Sequence, residues 1–255
     1  MAAAPPQSIL ITGASSGIGA ALACEYARPG ITLALSGRDA ARLDAIAAGC
    51  RARGAAATCQ VVDVTDRDRM AHWMATADRA RPLDLVIANA GISAGTGGGM
   101  EPEAQARAIM AINVDGVSNT IYPAIALMSP RRRGQIAIMS SLAAFRGFPG
   151  APAYCASKAA VRILGEALRG TLHERGIGVT VICPGYVESR MTAVNRFRMP
   201  LLMPADRAAR IIRRGLARGR ARIAFPWPTY AAVRLLAGFP PAWIDPLMRR
   251  LPRKG

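Results

Sequence analysis

Six short apolar runs recur along the chain, at 8–13 (SILITG), 31–36 (ITLALS), 58–64 (TCQVVDV), 83–91 (LDLVIANAG), 134–141 (GQIAIMSS) and 177–185 (IGVTVICPG). Their apolar positions are nearly continuous rather than alternating, as expected of strands covered on both faces. Between them lie segments of helical spacing that begin near Gly17, Ala40, Thr65, Glu103 and Pro152. Asp39 stands where it can cap the second of these, and Asp63 is a cap candidate for the third. Strands alternating with helices predict an α/β fold, a doubly wound parallel sheet in three αβα layers. One domain accounts for all 255 residues.

Half the chain, 51%, is hydrophobic, enough for a full core, yet no stretch of about 20 apolar residues runs without a charge or a proline. The opening MAAAPPQ lacks the charged and apolar regions of a signal peptide, so the expected location is the cytoplasm. Five cysteines, Cys24, Cys50, Cys59, Cys155 and Cys183, show no paired spacing, which argues against a disulfide framework and against a metal site. His72 and His173 lie on helical segments away from every motif and read as surface or cap residues. The net charge of +17 favours anionic partners: a phosphorylated cofactor, an acidic protein, an anionic lipid surface or nucleic acid. Nucleic acid has only the charge to support it, because no helix-turn-helix, zinc finger or aromatic binding sheet is present.

The densest chemistry lies in Ser141 to Lys158, SLAAFRGFPGAPAYCASK. On a helix starting at Pro152, Tyr154 and Lys158 are one turn apart on one face, so an ammonium lies beside a phenol. A fixed positive charge favours the phenolate and is expected to pull the phenol down from about 10 toward the working range of a general acid or base. Among 33 basic residues only Lys158 and Lys254 are lysines, so a compact ammonium at 158 looks selected for its geometry. Ser141 ends a strand thirteen residues earlier, and strand alternation sends Ser140 to the opposite face. At the other end of the chain the turn Thr12-Gly13-Ala14-Ser15-Ser16-Gly17-Ile18-Gly19 joins a strand to a helix. Glycines there allow a tight turn and close backbone approach, and the helix N-terminus offers N–H groups to a pyrophosphate.

Together these features resemble the short-chain dehydrogenase/reductase family, over roughly residues 8–190. The resemblance implies a Rossmann-type sheet with Ser141, Tyr154 and Lys158 as catalytic residues and Asn113 as the fourth, holding a water that relays protons to Lys158. It implies a dinucleotide bound by Gly13, Ser15, Ser16, Gly17, Ile18 and Gly19. Asp63 and Val64 would meet the adenine, and Asn89, Ala90 and Gly91 the ribose. Pro184, Gly185, Val187 and Ser189 would meet the nicotinamide, with Ser189 where threonine is commoner, while Tyr154 and Lys158 also contact the cofactor. After the second strand Gly37 occupies the place of the acidic residue that holds ribose hydroxyls, and Arg38 follows, which favours NADP(H) with NAD(H) as the alternative. Family members usually form homodimers or homotetramers.

Beyond the motifs, residues 191–255 read as a substrate lid and a basic, apolar C-terminal extension. Met199, Leu201, Leu202 and Met203 suit an adaptable lid. Twelve basic residues and one acidic residue fall between 207 and 254, interleaved with Trp227, Tyr230, Phe239 and Trp243. Two uses are open for this extension: packing on the protein itself or on a second copy, and peripheral contact with an anionic membrane. The expected reaction is hydride transfer between NADP(H) and a secondary alcohol or ketone, with a hydrophobic, lipid-like or acyl ketone as substrate. The alternatives are a 3-oxoacyl-carrier-protein reductase and a non-catalytic cofactor-sensing protein.

Overall fold

The computed structural model describes residues 5–97, 99–195 and 199–248. Its centre is a seven-stranded parallel sheet in the order β3-β2-β1-β4-β5-β6-β7. The strands are β1 (Ser8–Ile11), β2 (Thr32–Gly37), β3 (Ala56–Val61), β4 (Leu85–Ala88), β5 (Gly134–Met139), β6 (Ile177–Pro184) and β7 (Arg222–Phe225). Each long crossover carries a helix: α1 (Gly17–Tyr26), α2 (Ala40–Ala52), α3 (Arg67–Ala80), α4 (Glu103–Met110), α5 (Gly116–Met128) and α6 (Pro152–His173). The C-terminal part adds α7 (Arg190–Ala193), α8 (Ala205–Ala217), α9 (Trp227–Ala237) and α10 (Pro241–Met248).

Alternation within the apolar strands feeds two cores. Ile9, Leu33, Leu85 and Ile87 point to one face and pack with Leu22 of α1 and with Ile212 and Leu216 of α8. Leu10, Val86, Ile136 and Ile138 point to the other and pack with Met70 and Met74 of α3, Ile121 of α5 and Val161 of α6. Register keeps like with like: Ile9 stands beside Leu33 and Leu85, Leu10 beside Ala34 and Val86. Burying each of these aliphatic side chains is worth about 1.5–3 kcal/mol, which explains why the strands carry so few polar groups.

The strand order reverses between β1 and β4, opening a crevice at their carboxyl ends. The sequence reading of six strands is one short. β7 is only four residues inside an arginine-rich stretch, and its alternate half-buried and buried positions carry no long apolar run. It pairs with β6 through Val181–Arg222 to Pro184–Phe225. α8 covers the same edge: Gly215 lies so close that a Cβ there would meet Ile223 Cδ1 at 2.4 Å, and Arg213 Nε donates to Glu25 Oε1 of α1 at 2.6 Å. Much of the region read as lid and extension is therefore core. Met203, grouped with the lid in the sequence, is buried and bridges to Val187. Residues 196–198 of the expected lid and 249–255 of the extension lie outside the described residues.

Candidate active site

A cavity of about 1040 Å³ runs along the carboxyl edge of the sheet. Of the predicted cofactor-binding and catalytic residues, all but Gly19 and Asn113 line it, whereas Met199, Leu201, Leu202 and Met203 of the expected lid do not. At one end stands the Gly13–Gly19 turn. Gly13 and Gly17 have φ of +66° and +56°, a backbone that disfavours side chains, and a Cβ on Gly17 would meet Ser189 Cβ at 3.0 Å. Gly19 serves packing: its Cβ would fall 2.3 Å from Gly13 O. Asn89 fastens the turn to β4, its Nδ2 donating to Thr12 O at 3.0 Å and Gly13 O at 3.1 Å, while the Asn89 and Ala90 N–H groups donate to Thr12 Oγ1. The cradle is bare backbone facing the N-terminus of α1, the donor set that a pyrophosphate requires.

Farther along this end, Arg38 is exposed at the tip of β2. Asp39 caps α2, accepting from Arg42 N at 3.0 Å, as its position in the sequence implies. Asp63 is not a helix cap. It accepts from Thr65 N and Thr65 Oγ1 in a tight turn, and Asp66 caps α3 instead. The Thr65 N–H, with a smaller contribution from the Arg38 charge, holds the Asp63 carboxyl below its usual range. A carboxylate acceptor and an exposed guanidinium thus share this end of the cavity.

At the opposite end, β5 delivers Ser141 and the first turns of α6 deliver Tyr154 and Lys158. Ser141 Oγ accepts from Ala143 N at 3.1 Å and approaches Pro184 O at 3.5 Å, which orients it toward β6. Ser140 is turned away, donating to Lys158 O at 2.8 Å, in line with strand alternation. Lys158 is 3% exposed, donates from Nζ to Met139 O at 3.0 Å, and lies 5.8 Å from the Tyr154 ring centre. The expected lowering of the phenol is not what the site produces. Burial pushes Tyr154 up to about 12, opposed by its hydrogen bond with Ser141. Burial also pulls Lys158 down to about 8, the Cys183 thiol opposing it. Each charged form is costly in this low-dielectric setting, so burial is the main cause of both shifts.

Asn113 lies in a π-helical turn, Ala111–Asp115, fully buried. Its Nδ2 donates to Ile92 O at 2.9 Å and Ser157 Oγ at 3.0 Å, and its Oδ1 accepts from Ile92 N at 2.8 Å. Both Nδ2 donors and one lone pair of Oδ1 tie the loop after β4 to α6, so the side chain braces that loop. Ser189 caps α7, its side chain and that of Thr192 forming a reciprocal box. The sequence reading missed Ser157, Glu101 and the apolar wall formed by Phe148, Val233, Leu236 and Met248. Nothing short-range marks that wall, since α9 and α10 reach the cavity only through the fold.

The chain belongs to the short-chain dehydrogenase family, whose sequence pattern matches residues 7–199. It is 38% identical over 246 residues to an uncharacterised oxidoreductase of Myxococcus xanthus, covering 96% of this chain and 97% of that one. It is 34% identical over 184 residues to the gluconate 5-dehydrogenase of Gluconobacter oxydans, covering 72% of each. Among solved structures it resembles a short-chain dehydrogenase from Sphingobium yanoikuyae in complex with NADPH, with a TM-score of 0.81 and 26% identity over 98% of this chain and 97% of that one. A Burkholderia phymatum family member in complex with NAD shares the fold, with a TM-score of 0.83 at 24% identity over 98% of each chain.

Proposed function

We propose that this oxidoreductase moves a hydride between NADP(H) and a secondary alcohol or ketone, with a hydrophobic ketone as substrate. The observation that carries the reading is one continuous cavity with Ser141, Tyr154 and Lys158 at one end and Arg38, with no acidic neighbour at Gly37, at the other. Bound at the Gly13–Gly19 cradle, the cofactor supplies the hydride. Tyr154 gives its proton to the oxygen of the carbonyl being reduced, and Ser141 donates a hydrogen bond where negative charge grows. Lys158 stabilises the phenolate left on Tyr154, and Asn113 keeps the loop beside them in place. The wall of Phe148, Val233, Leu236 and Met248 favours an apolar substrate, unlike the sugar acid named for the Gluconobacter relative.

Cofactor titration by fluorescence tests the reading. NADPH is expected to bind about 10- to 100-fold more tightly than NADH, and Arg38→Ala to erase the difference, since a hydrogen bond to a charged group is worth about 1.5–3 kcal/mol. Equal affinity in both proteins removes Arg38 from the argument. A screen of NADPH oxidation against ketones of increasing chain length then separates a lipid-like substrate from a carrier-protein thioester, and no turnover with any ketone leaves the cofactor-sensing alternative. A second reading concerns partners: the outer sides of α9 and α10 expose Trp227, Leu235, Trp243 and Leu247, which favours peripheral contact with an anionic membrane.

A further inference from the structure

α6, which carries Tyr154 and Lys158, begins without a cap of its own. Its N-cap residue is Ala151, which has no polar side chain, and Pro152 at the first position has no N–H. The first helical donor needing a partner is therefore the N–H of Ala153, next to Tyr154. That donor is taken by a residue 52 positions away: Ala153 N–H donates to Glu101 Oε2 at 2.9 Å. The other carboxylate oxygen, Oε1, accepts from Gln105 Nε2 at 3.1 Å, and the same Nε2 donates to Gly95 O at 3.0 Å. A negative charge at a helix N-terminus also opposes the helix dipole favourably.

Glu101 ends the loop that leaves β4 at the catalytic end of the cavity, where Gly91, Ile92 and Ser93 form part of the wall. Asn113 grips that loop at its start through both Ile92 N and Ile92 O. Gln105 holds its middle and Glu101 ties its end to the turn holding Tyr154. We propose that Glu101 is a positioning residue, its carboxylate capping the catalytic helix from the substrate loop, so that loop placement and phenol placement are a single event. This rests on Tyr154 acting as the proton donor. Glu101 never touches the reacting atoms. It acts by stopping the first turn of α6 from fraying.

The neighbouring thiol of Cys155 reports the turn without any need for activity, because it is buried there and its N–H closes the first intrahelical bond, to Ala151 O at 3.0 Å. The experiment compares wild type with Glu101→Ala, Glu101→Gln and Gln105→Ala on the full chain. It reads alkylation of Cys155 by peptide mass mapping, together with kcat and KM for ketone reduction and the melting temperature. In Glu101→Ala, Cys155 labelling is expected to rise about tenfold or more and kcat to fall by a similar factor, since small misplacements of a catalytic group cost about 10- to 100-fold. Glu101→Gln, which keeps an acceptor, is expected to restore most of both, and Gln105→Ala to show a weaker shift in the same direction. Unchanged labelling in Glu101→Ala overturns the proposal, and so does raised labelling with unchanged kcat. If Glu101→Ala does not fold, Gln105→Ala still decides: unchanged Cys155 labelling and unchanged kcat in that variant overturn it. Wild type inert toward every ketone would instead overturn the reductase reading, while the labelling arm would still judge the cap.

Discussion

Lys158 and Tyr154 solve a charge problem jointly. A phenol raised to about 12 keeps its proton at any working pH, which suits a donor, but donation leaves a phenolate in a site that disfavours it. The ammonium beside it makes the product state neutral as a pair, and this holds only while Lys158 is protonated. Its value of about 8 lies below the usual one, so the charge is full below that pH and is lost as pH rises through it. The reductive kcat/KM is therefore expected to be flat on the acid side and to fall about tenfold per pH unit above about 8. In Lys158→Met that limb should vanish along with most of the rate. A wild-type profile flat to pH 10 would remove Lys158's ionisation from the mechanism. Glycines make a second contrast. A Cβ at Gly19 meets backbone at 2.3 Å, whereas one at Gly49, within α2, meets nothing within 4 Å. Gly19→Ala is expected to lose about 1–3 kcal/mol and cofactor binding with it, and Gly49→Ala to gain about 0.4–1 kcal/mol, both read by urea denaturation.

Between elements, the joint most exposed to test is the one holding β7 and α9 to α6. Glu166 of α6 pairs with Arg162 at 3.0 Å and with Arg222 of β7, and Arg222 Nη1 donates to Tyr230 OH of α9 at 3.1 Å. The Phe145 ring lies beside this cluster, 4.8 Å from the Arg162 guanidinium, 5.3 Å from that of Arg222 and 5.8 Å from that of Arg234. Without Glu166 the Arg162 and Arg222 guanidiniums lose the carboxylate they share. These side chains are partly solvated, so Glu166→Leu is expected to cost about 1–3 kcal/mol, less than a fully buried pair would. At about 2–4 °C per kcal/mol the melting temperature falls by several degrees, and a shift under 1 °C would mean that solvent already screens the cluster. This joint was not legible in the sequence, because its members lie 56 residues apart and read singly as surface charge. The motifs that were legible, the Gly13–Gly19 turn, Asn89–Gly91 and Tyr154–Lys158, are short because local backbone geometry or one helical turn dictates them. Six strands were visible as apolar runs. β7, the apolar wall from α9 and the Glu101 cap depend on contacts that only the folded chain brings about.

For the molecule as a whole, charge and apolar surface are distributed unevenly. No helix among the described residues is long and apolar enough to cross a membrane. Yet Trp227, Leu235 and Trp243 are 69%, 66% and 73% exposed, on helices whose opposite sides wall the cavity with Val233, Leu236 and Met248. Helices apolar on both sides need a partner outside as well as a ligand within. A second copy would bring the same excess charge, +17 in each chain, whereas an anionic bilayer is complementary to it and could feed an apolar ketone to the cavity. The chain is therefore expected to bind vesicles containing phosphatidylglycerol, weakly or not at all phosphatidylcholine alone, and to release as salt rises. Two of its three tryptophans lie on this surface and the third, Trp73, is buried, so a blue shift of emission reports the contact directly. Changing Trp227 and Trp243 together to Gln should abolish binding without altering NADPH affinity. Equal binding to both lipids would leave the charge without a role. A blue shift that grows with protein concentration and needs no vesicles would assign the surface to self-association instead, with α9 and α10 buried between copies.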